Sequence, residues 1–209
     1  MNTNIFRSMS YGVYIVTTLD GRRPTGCVAN SVMQITSSPA TVAVSMNHDN
    51  YTHQCISKTG YFAVSILSEQ SAPQLIGTFG FQSGKDTDKF AGVEYQTVEG
   101  MPVISDSCGY LVCRVIDTMD TSTHTVFLGE VVEADVFSTA PAMTYAYYHQ
   151  VIKGKSPKNA PTYIEEKPEP VAAKYVCEIC GYEHVAESLP EDFRCPICGV
   201  DASLFKKAE

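Results

Sequence analysis

Two Cys-x-x-Cys pairs, Cys177/Cys180 and Cys195/Cys198, stand 14 residues apart near the end of this 209-residue chain. No other feature restricts the fold as tightly. A two-residue gap lets both sulfurs of a tight turn face one ion, and two such turns complete a tetrahedron of thiolates. Gly181 and Gly199 follow the second cysteine of each pair. Glycine tolerates the positive φ that lets backbone N–H groups point back at sulfur, which stabilises the thiolate charge. The segment therefore predicts a small module built round one metal. Tetrahedral sulfur suits zinc and iron alike, so spacing alone leaves the metal open.

The other four cysteines, Cys27, Cys55, Cys108 and Cys113, are scattered. The N-terminus has no basic region followed by an apolar run and a small-residue cleavage site, and no stretch of 18 apolar residues occurs. The expectation is a cytoplasmic chain, where scattered thiols are buried rather than bridged. Cys108 and Cys113 could pair for redox work, but "CGYLVCRVID" reads better as a buried strand. A net charge of −8 with no Lys/Arg-rich block argues against duplex nucleic acid and against an anionic membrane surface.

Residues 1–152 carry many short runs of β-branched and aromatic residues: 11–18, 25–36, 40–47, 61–67, "GYLVCRVIDTMD" and "TVFLGEVVEADVF". Turn signals at Asp20-Gly21, Ser38-Pro39 and Glu99-Gly100 separate them. So many short strands predict a mainly β domain with a closed or sandwich-like antiparallel sheet. Two helices are expected. One runs through "NYTHQCISKTG", with Asn50 as N-cap and Gly60 as its stop; the other opens at Ser68 and stops near Gly80. Residues 153–173 hold four prolines and many charges and read as a linker. Residues 174–209 form the cysteine module.

"YVCEICGY" and "LPEDFRCPICG", followed by "ASLFKK", resemble rubredoxin. The matching residues are Tyr175, Tyr182, the Leu189–Phe193 run, Pro196 and Phe205. The resemblance implies one iron held by Cys177, Cys180, Cys195 and Cys198, shielded by a small aromatic core. The segment between the pairs is shorter than in the usual rubredoxin and matches the type found in rubrerythrin tails, which implies a more exposed metal.

The front domain contains no GxGxxG and no phosphate-binding P-loop, so a dinucleotide-binding Rossmann unit is not indicated. Instead "GCVANSVMQITSSPATVAVSMNHDNYTHQCISKTGYFAVSIL", "SGKDTDKFAG", "HTVFLGEV" and "MTYAYYHQVIKGKSPKNAPTY" resemble, in that order, the flavin reductase-like FMN-binding split barrel. The residues accord with such a cofactor. FMN ends in a phosphate, and the helix start at Asn50, Tyr51 and Thr52 offers backbone N–H groups, a favourable dipole and hydroxyls. Asn50 can equally be a plain cap. The resemblance implies that Asn30, Ser31, Gln34 and Thr36 line the isoalloxazine edge and ribityl chain. It further implies that Ser83, Lys85 and Lys89 near the cofactor, often across a dimer interface, and that His124 lies by the flavin and the nicotinamide.

Taken together, the two parts resemble the high-molecular-weight rubredoxins of anaerobic bacteria. That family implies a homodimer with NADH or NADPH as co-substrate. Hydride would pass onto FMN, and electrons would leave singly through iron to a soluble redox protein, a flavodiiron oxygen or nitric oxide reductase. Two other readings stay open: a flavin or ferric reductase with an accessory tail, and a non-enzymatic FMN carrier or zinc-stapled interaction module.

Overall fold

The computed structural model describes residues 2–152, 173–186, 188–190 and 192–207. The chain divides into two compact units, Met1–Ile164 and Glu165–Glu209. The expected linker, apart from its last residue Ala173, lies outside the described residues.

The front unit is built on one antiparallel sheet of seven strands: β1 (Tyr14–Asp20), β2 (Arg23–Ala29), β3 (Val32–Ser37), β4 (Ala40–Asn47), β5 (Tyr61–Ile66), β8 (Gly109–Asp120) and β9 (His124–Val136). Their order across the sheet is β2-β1-β5-β8-β9-β4-β3, and that order dictates the shape. Laid flat at about 4.8 Å per strand, seven strands would hold their edges roughly 29 Å apart. Yet the edge strands β2 and β3 follow one another in the chain, joined only by Asn30 and Ser31, and three Cα steps reach about 11 Å. The sheet must curl until its two edges approach at that end. The single expected strand over 25–36 is therefore two, because the chain turns there from one edge to the other.

The curl encloses Val16, Cys27, Val42, Val44, Met46, Phe62, Val64, Cys113 and Phe127, with Val32 of β3 packed against them. All seven strands contribute. Helix α1 (Tyr51–Thr59) adds Ile56 to the same cluster. Space inside is tight: a Cβ at Gly129 would come within 2.8 Å of both the Phe62 ring and Cys113 Cβ. Cys113 is fully buried in β8, as the strand reading of its segment expects, and Cys108 is a free thiol just before it.

Two further clusters cover the outside. Helix α2 (Pro73–Phe81) and helix α3 (Tyr145–Gln150) supply Leu75, Ile76, Phe79 and Tyr148, packed on Val13, Ile15 and Leu67. The hairpin β6 (Tyr95–Val98) and β7 (Met101–Ile104) lays Met101 and Val103 on Ala63, Tyr110 and Val112. Its turn is the Glu99-Gly100 pair, both at positive φ (48° and 78°).

Helix α1 matches the sequence reading at both ends: Asn50 caps it, and Gly60 ends it at φ 69°. Helix α2 does not. It starts at Pro73, five residues after Ser68, whose hydroxyl instead bonds Gln70 N and Ser71 Oγ. Proline disfavours helical geometry at the residue before it while fitting the first helical position well; Ala72 accordingly sits at φ −58°, ψ 123°. Helix α3 and the β6–β7 hairpin are too short to announce themselves by periodicity.

The tail unit is a three-stranded antiparallel sheet of β10 (Ala173–Cys177), β11 (Glu183–Ala186) and β12 (Phe205–Lys207), with β10 in the middle. Ala173, expected in the linker, is the first residue of β10. Phe193 and Phe205 meet edge to face at 5.4 Å, and His184 lies 4.4 Å from Phe193 as a third ring. Among the described residues no helix is long and apolar enough to cross a membrane.

Candidate functional site

At the start of α1 three elements converge. Asn50 Oδ1 accepts from Thr52 N at 2.9 Å, so the capping role is real. Beside it, in β2, lies the thiol of Cys27. Burial pushes that thiol up, while the neighbouring Lys89 ammonium and the side chains of Thr52 and Asn50 pull it down. Lys89 comes from the loop after α2 and is 3% exposed. Its Nζ donates to Gly26 O (2.9 Å) and Phe79 O (3.1 Å) and stands 5.8 Å over the Phe79 ring. Among the described residues no carboxylate pairs with it, and burial pushes its pKa down.

Thr25 Oγ1, also in β2, is buried and without a hydrogen-bond partner among the described residues. The loop reaches it through Gly84, where any Cβ would collide with that hydroxyl. Cys27 thus senses both a buried cation that lacks a counter-anion among the described residues and the N-terminus of a nine-residue helix, and the partnerless Thr25 hydroxyl lies two residues back along the same strand. That donor set fits a phosphate group. Sequence reading reached Asn50, Thr52 and Lys89 but missed Thr25, Cys27 and Gly84, whose role comes from β2 lying beside α1.

The other candidates fall in different surroundings. Tyr51 spends its hydroxyl on Asp20 (2.7 Å), which also holds Arg23. The bonds from Tyr51 and Arg23 hold the Asp20 carboxyl below its ordinary range. Arg23 in turn donates to Gly84 O at 2.8 Å and so fixes the loop. Ser83 and Lys85 are exposed, and Ser83 Oγ accepts from Lys85 N. Asn30 is 5% exposed in the turn between the sheet edges, next to Ser31, whose Oγ donates to Ser45 O. Gln34 and Thr36 are exposed on β3; Gln34 Nε2 donates to Thr36 O (3.3 Å), and Thr36 Oγ1 lies in hydrogen-bond contact with Thr41 Oγ1 (2.6 Å).

His124 opens β9 opposite Asn47, with Nδ1 2.8 Å from Thr123 Oγ1. It belongs to a group the sequence did not reveal. His48, His53, His124 and Asp120 gather where β4, α1 and the β8–β9 turn meet.

In the tail, the four cysteine sulfurs lie within 4.8 Å of one another. Cys177–Cys198 and Cys180–Cys195 are 3.6 and 3.5 Å apart. A disulfide is about 2.05 Å long, whereas a tetrahedron with metal–sulfur bonds of about 2.3 Å has edges near 3.8 Å. The set is shaped for one ion. The two turns repeat each other: Cys177 N donates to Tyr182 O and Cys195 N to Val200 O. Gly181 and Gly199 take φ 73° and 75°, as expected. Backbone N–H groups of Tyr182 and Val200 then reach the sulfurs of Cys180 and Cys198. Without a cation the four thiols cannot all ionise. Despite burial, backbone N–H groups of Cys198 and Ile197 bring Cys195 down to about 6; despite the Tyr182 N–H, burial and three sulfur neighbours push Cys180 up to about 12. Cys177 and Cys195 are buried, Cys180 and Cys198 exposed. Ile179 and Ile197, beside the exposed pair, are 62% and 71% exposed.

Comparison with known proteins agrees with this division. Residues 6–156 match the flavin reductase like domain, and residues 175–206 match the rubrerythrin, rubredoxin-like domain. A high molecular weight rubredoxin of Moorella thermoacetica is 42% identical over 99% of this chain and 100% of its own length. A ferric-chelate reductase (NAD(P)H) of Archaeoglobus fulgidus is 40% identical over 80% of this chain and 100% of its own. The solved NADH:FAD oxidoreductase of Streptomyces globisporus superposes with a TM-score of 0.63 at 28% identity, covering 68% of this chain and 84% of that one. The chain therefore belongs to the flavin reductase-like family of oxidoreductases and carries, behind that domain, the rubredoxin-like four-cysteine module of the high molecular weight rubredoxins.

Proposed function

We propose that this protein takes hydride from NADH or NADPH onto FMN and passes electrons one at a time through an iron centre of four cysteine thiolates to a soluble protein acceptor, a flavodiiron oxygen or nitric oxide reductase. The observation that carries the reading is the covalent pairing of two sites: a phosphate-ready cradle on the curled sheet and a four-thiolate site with two exposed sulfurs. Bound flavin supplies two-electron acceptance and one-electron release. Lys89, Thr25 and the first turn of α1 hold the phosphate, a terminus that favours FMN, and Asn50 keeps that turn in place. Asn30, Ser31, Gln34 and Thr36, at the curled edge of the sheet, orient the ring system. His124 stands on the nicotinamide side, where it steers binding rather than supplying an obligatory proton. Cys180 and Cys198 form the exit edge, because an exposed sulfur brings the metal closest to a docked partner.

The outer sheet face supports self-association. Met33, Ile35 and Met119 are 63%, 45% and 60% exposed. Met33, Ala43 and Leu128 align across three strands, with Ser45, Val126 and Met119 alongside. A second copy would cover this face, and the exposed Ser83 and Lys85 flank Gly84, which reaches Thr25 of the cradle. Cytoplasmic residence belongs to the same reading.

Rapid mixing of the purified protein with NADH tests the proposal. Flavin absorbance should bleach first and the red iron–thiolate band afterwards. Flavin bleaching with no later bleaching of the metal band overturns it. A second reading has its own support, since the ferric-chelate reductase relative aligns over its whole length with only 80% of this chain. On that reading the tail is accessory. The paired change Cys180→Ser and Cys198→Ser would then leave turnover with the protein acceptor intact.

A further inference from the structure

The histidine group beside α1 carries one more inference. Thr125 Oγ1 donates to Asp120 Oδ1 at 2.6 Å, which uses its single proton. His53 Nε2 lies 2.8 Å from the same oxygen, so the imidazole must be the donor there. That fixes the tautomer. Nε2 carries the proton, and Nδ1 is left bare, buried and without a hydrogen-bond partner among the described residues. The ring is wedged between His48 (centroids 5.4 Å apart) and Phe127 (5.3 Å). A second proton on Nδ1 would find no acceptor there, and its charge would sit beside two other imidazoles.

His53 also lies one residue after Thr52, in the same first turn of α1 that lines the phosphate cradle. We propose that His53, locked by the Asp120–Thr125 chain, is a positioning residue that makes anion binding at the α1 cradle depend on pH: neutral His53 seats the first turn against β9, and protonated His53 unseats it. The proposal rests on the flavin reading above. The groups facing the ring are His48, from the end of β4, and Asp120 and His124, from the two ends of the β8–β9 turn. Burial lowers the His53 pKa most, His48 and His124 lower it further, and Asp120 opposes them. The sign follows. A histidine depressed in the folded state contributes stability above its unfolded pKa of about 6.5, and that contribution is lost as pH falls below it.

The test is FMN binding to apo-protein, read by quenching of flavin fluorescence at about pH 8 and about pH 5.5. The FMN phosphate itself gains a proton near pH 6, so the ratio of affinities is compared between wild type and His53→Gln, whose amide can donate to Thr125 but cannot titrate. The ratio should be larger for wild type, by at most roughly tenfold, because pH 5.5 lies about one unit below the ordinary histidine pKa of about 6.5. Asp120→Asn, at an exposed position, should move the wild-type midpoint to lower pH. Equal ratios in wild type and His53→Gln, or a midpoint unmoved by Asp120→Asn, overturn the proposal. Absence of FMN binding at pH 8 would instead sink the flavin reading on which it stands.

Discussion

Lys89 is the side chain whose surroundings make least sense without a ligand. An ammonium held by two carbonyls and an aromatic face, with no carboxylate in reach among the described residues, is costly to bury. Lys89→Met should leave the melting temperature of the apo-protein level or raised, yet weaken FMN roughly 10- to 100-fold, since a charged hydrogen bond contributes about 1.5–3 kcal/mol. Calorimetry of the apo-protein and FMN titration together check this; a variant that merely melts lower and binds normally would make Lys89 a strut. Cys113 gives a second residue-scale expectation. Burial pushes its thiol up to about 12, and only the thiolate is nucleophilic. Iodoacetamide should leave Cys113 unlabelled in the native protein at neutral pH and label it after denaturation, as mass spectrometry would report.

At the scale of elements, α1 has two jobs: Ile56 packs into the cluster inside the curled sheet while the helix start faces Cys27 of β2. Asn50→Ala should cost about 1 kcal/mol of stability through loss of the cap and should also weaken FMN, because the same turn lines the cradle. Parallel chemical denaturation and FMN titration separate the two effects. Gly129 tests the packing of the sheet. Gly129→Ala pushes against both Phe62 and Cys113. It should cost about 1–3 kcal/mol, with a melting drop of about 2–4 °C per kcal/mol for a chain of this size.

For the whole molecule, the tail depends on its metal. Residues 173–207 are fewer than the ~40 that sustain an apolar core unaided, and four thiolates held within 4.8 Å of one another repel unless a cation sits among them. Stripping the metal should unfold the tail while the front unit keeps its own transition and its flavin reduction by NADH. Two resolved transitions collapsing to one in a calorimetric scan would show it. A tail that stays folded without metal would mean its aromatic cluster suffices.

The four metal ligands, the α1 caps and most strands could be read from the chain because each rests on local rules: ligand spacing, side-chain capping, β-branched runs. Tyr51 and Thr52 adjoin in sequence, yet only the fold sends one to Asp20 and the other to Cys27. The break at Asn30 was hidden, since a strand that leaves one sheet edge for the other looks continuous until the curl is known. The Thr25–Cys27–Lys89 cradle and the His48–His53–His124–Asp120 group draw on segments dozens of residues apart. Sequence alone determined which chemistry this chain can hold. Tertiary structure decided which charge is buried without a counter-ion among the described residues and which imidazole tautomer is locked, because burial and hydrogen-bond direction exist only once distant segments are packed together.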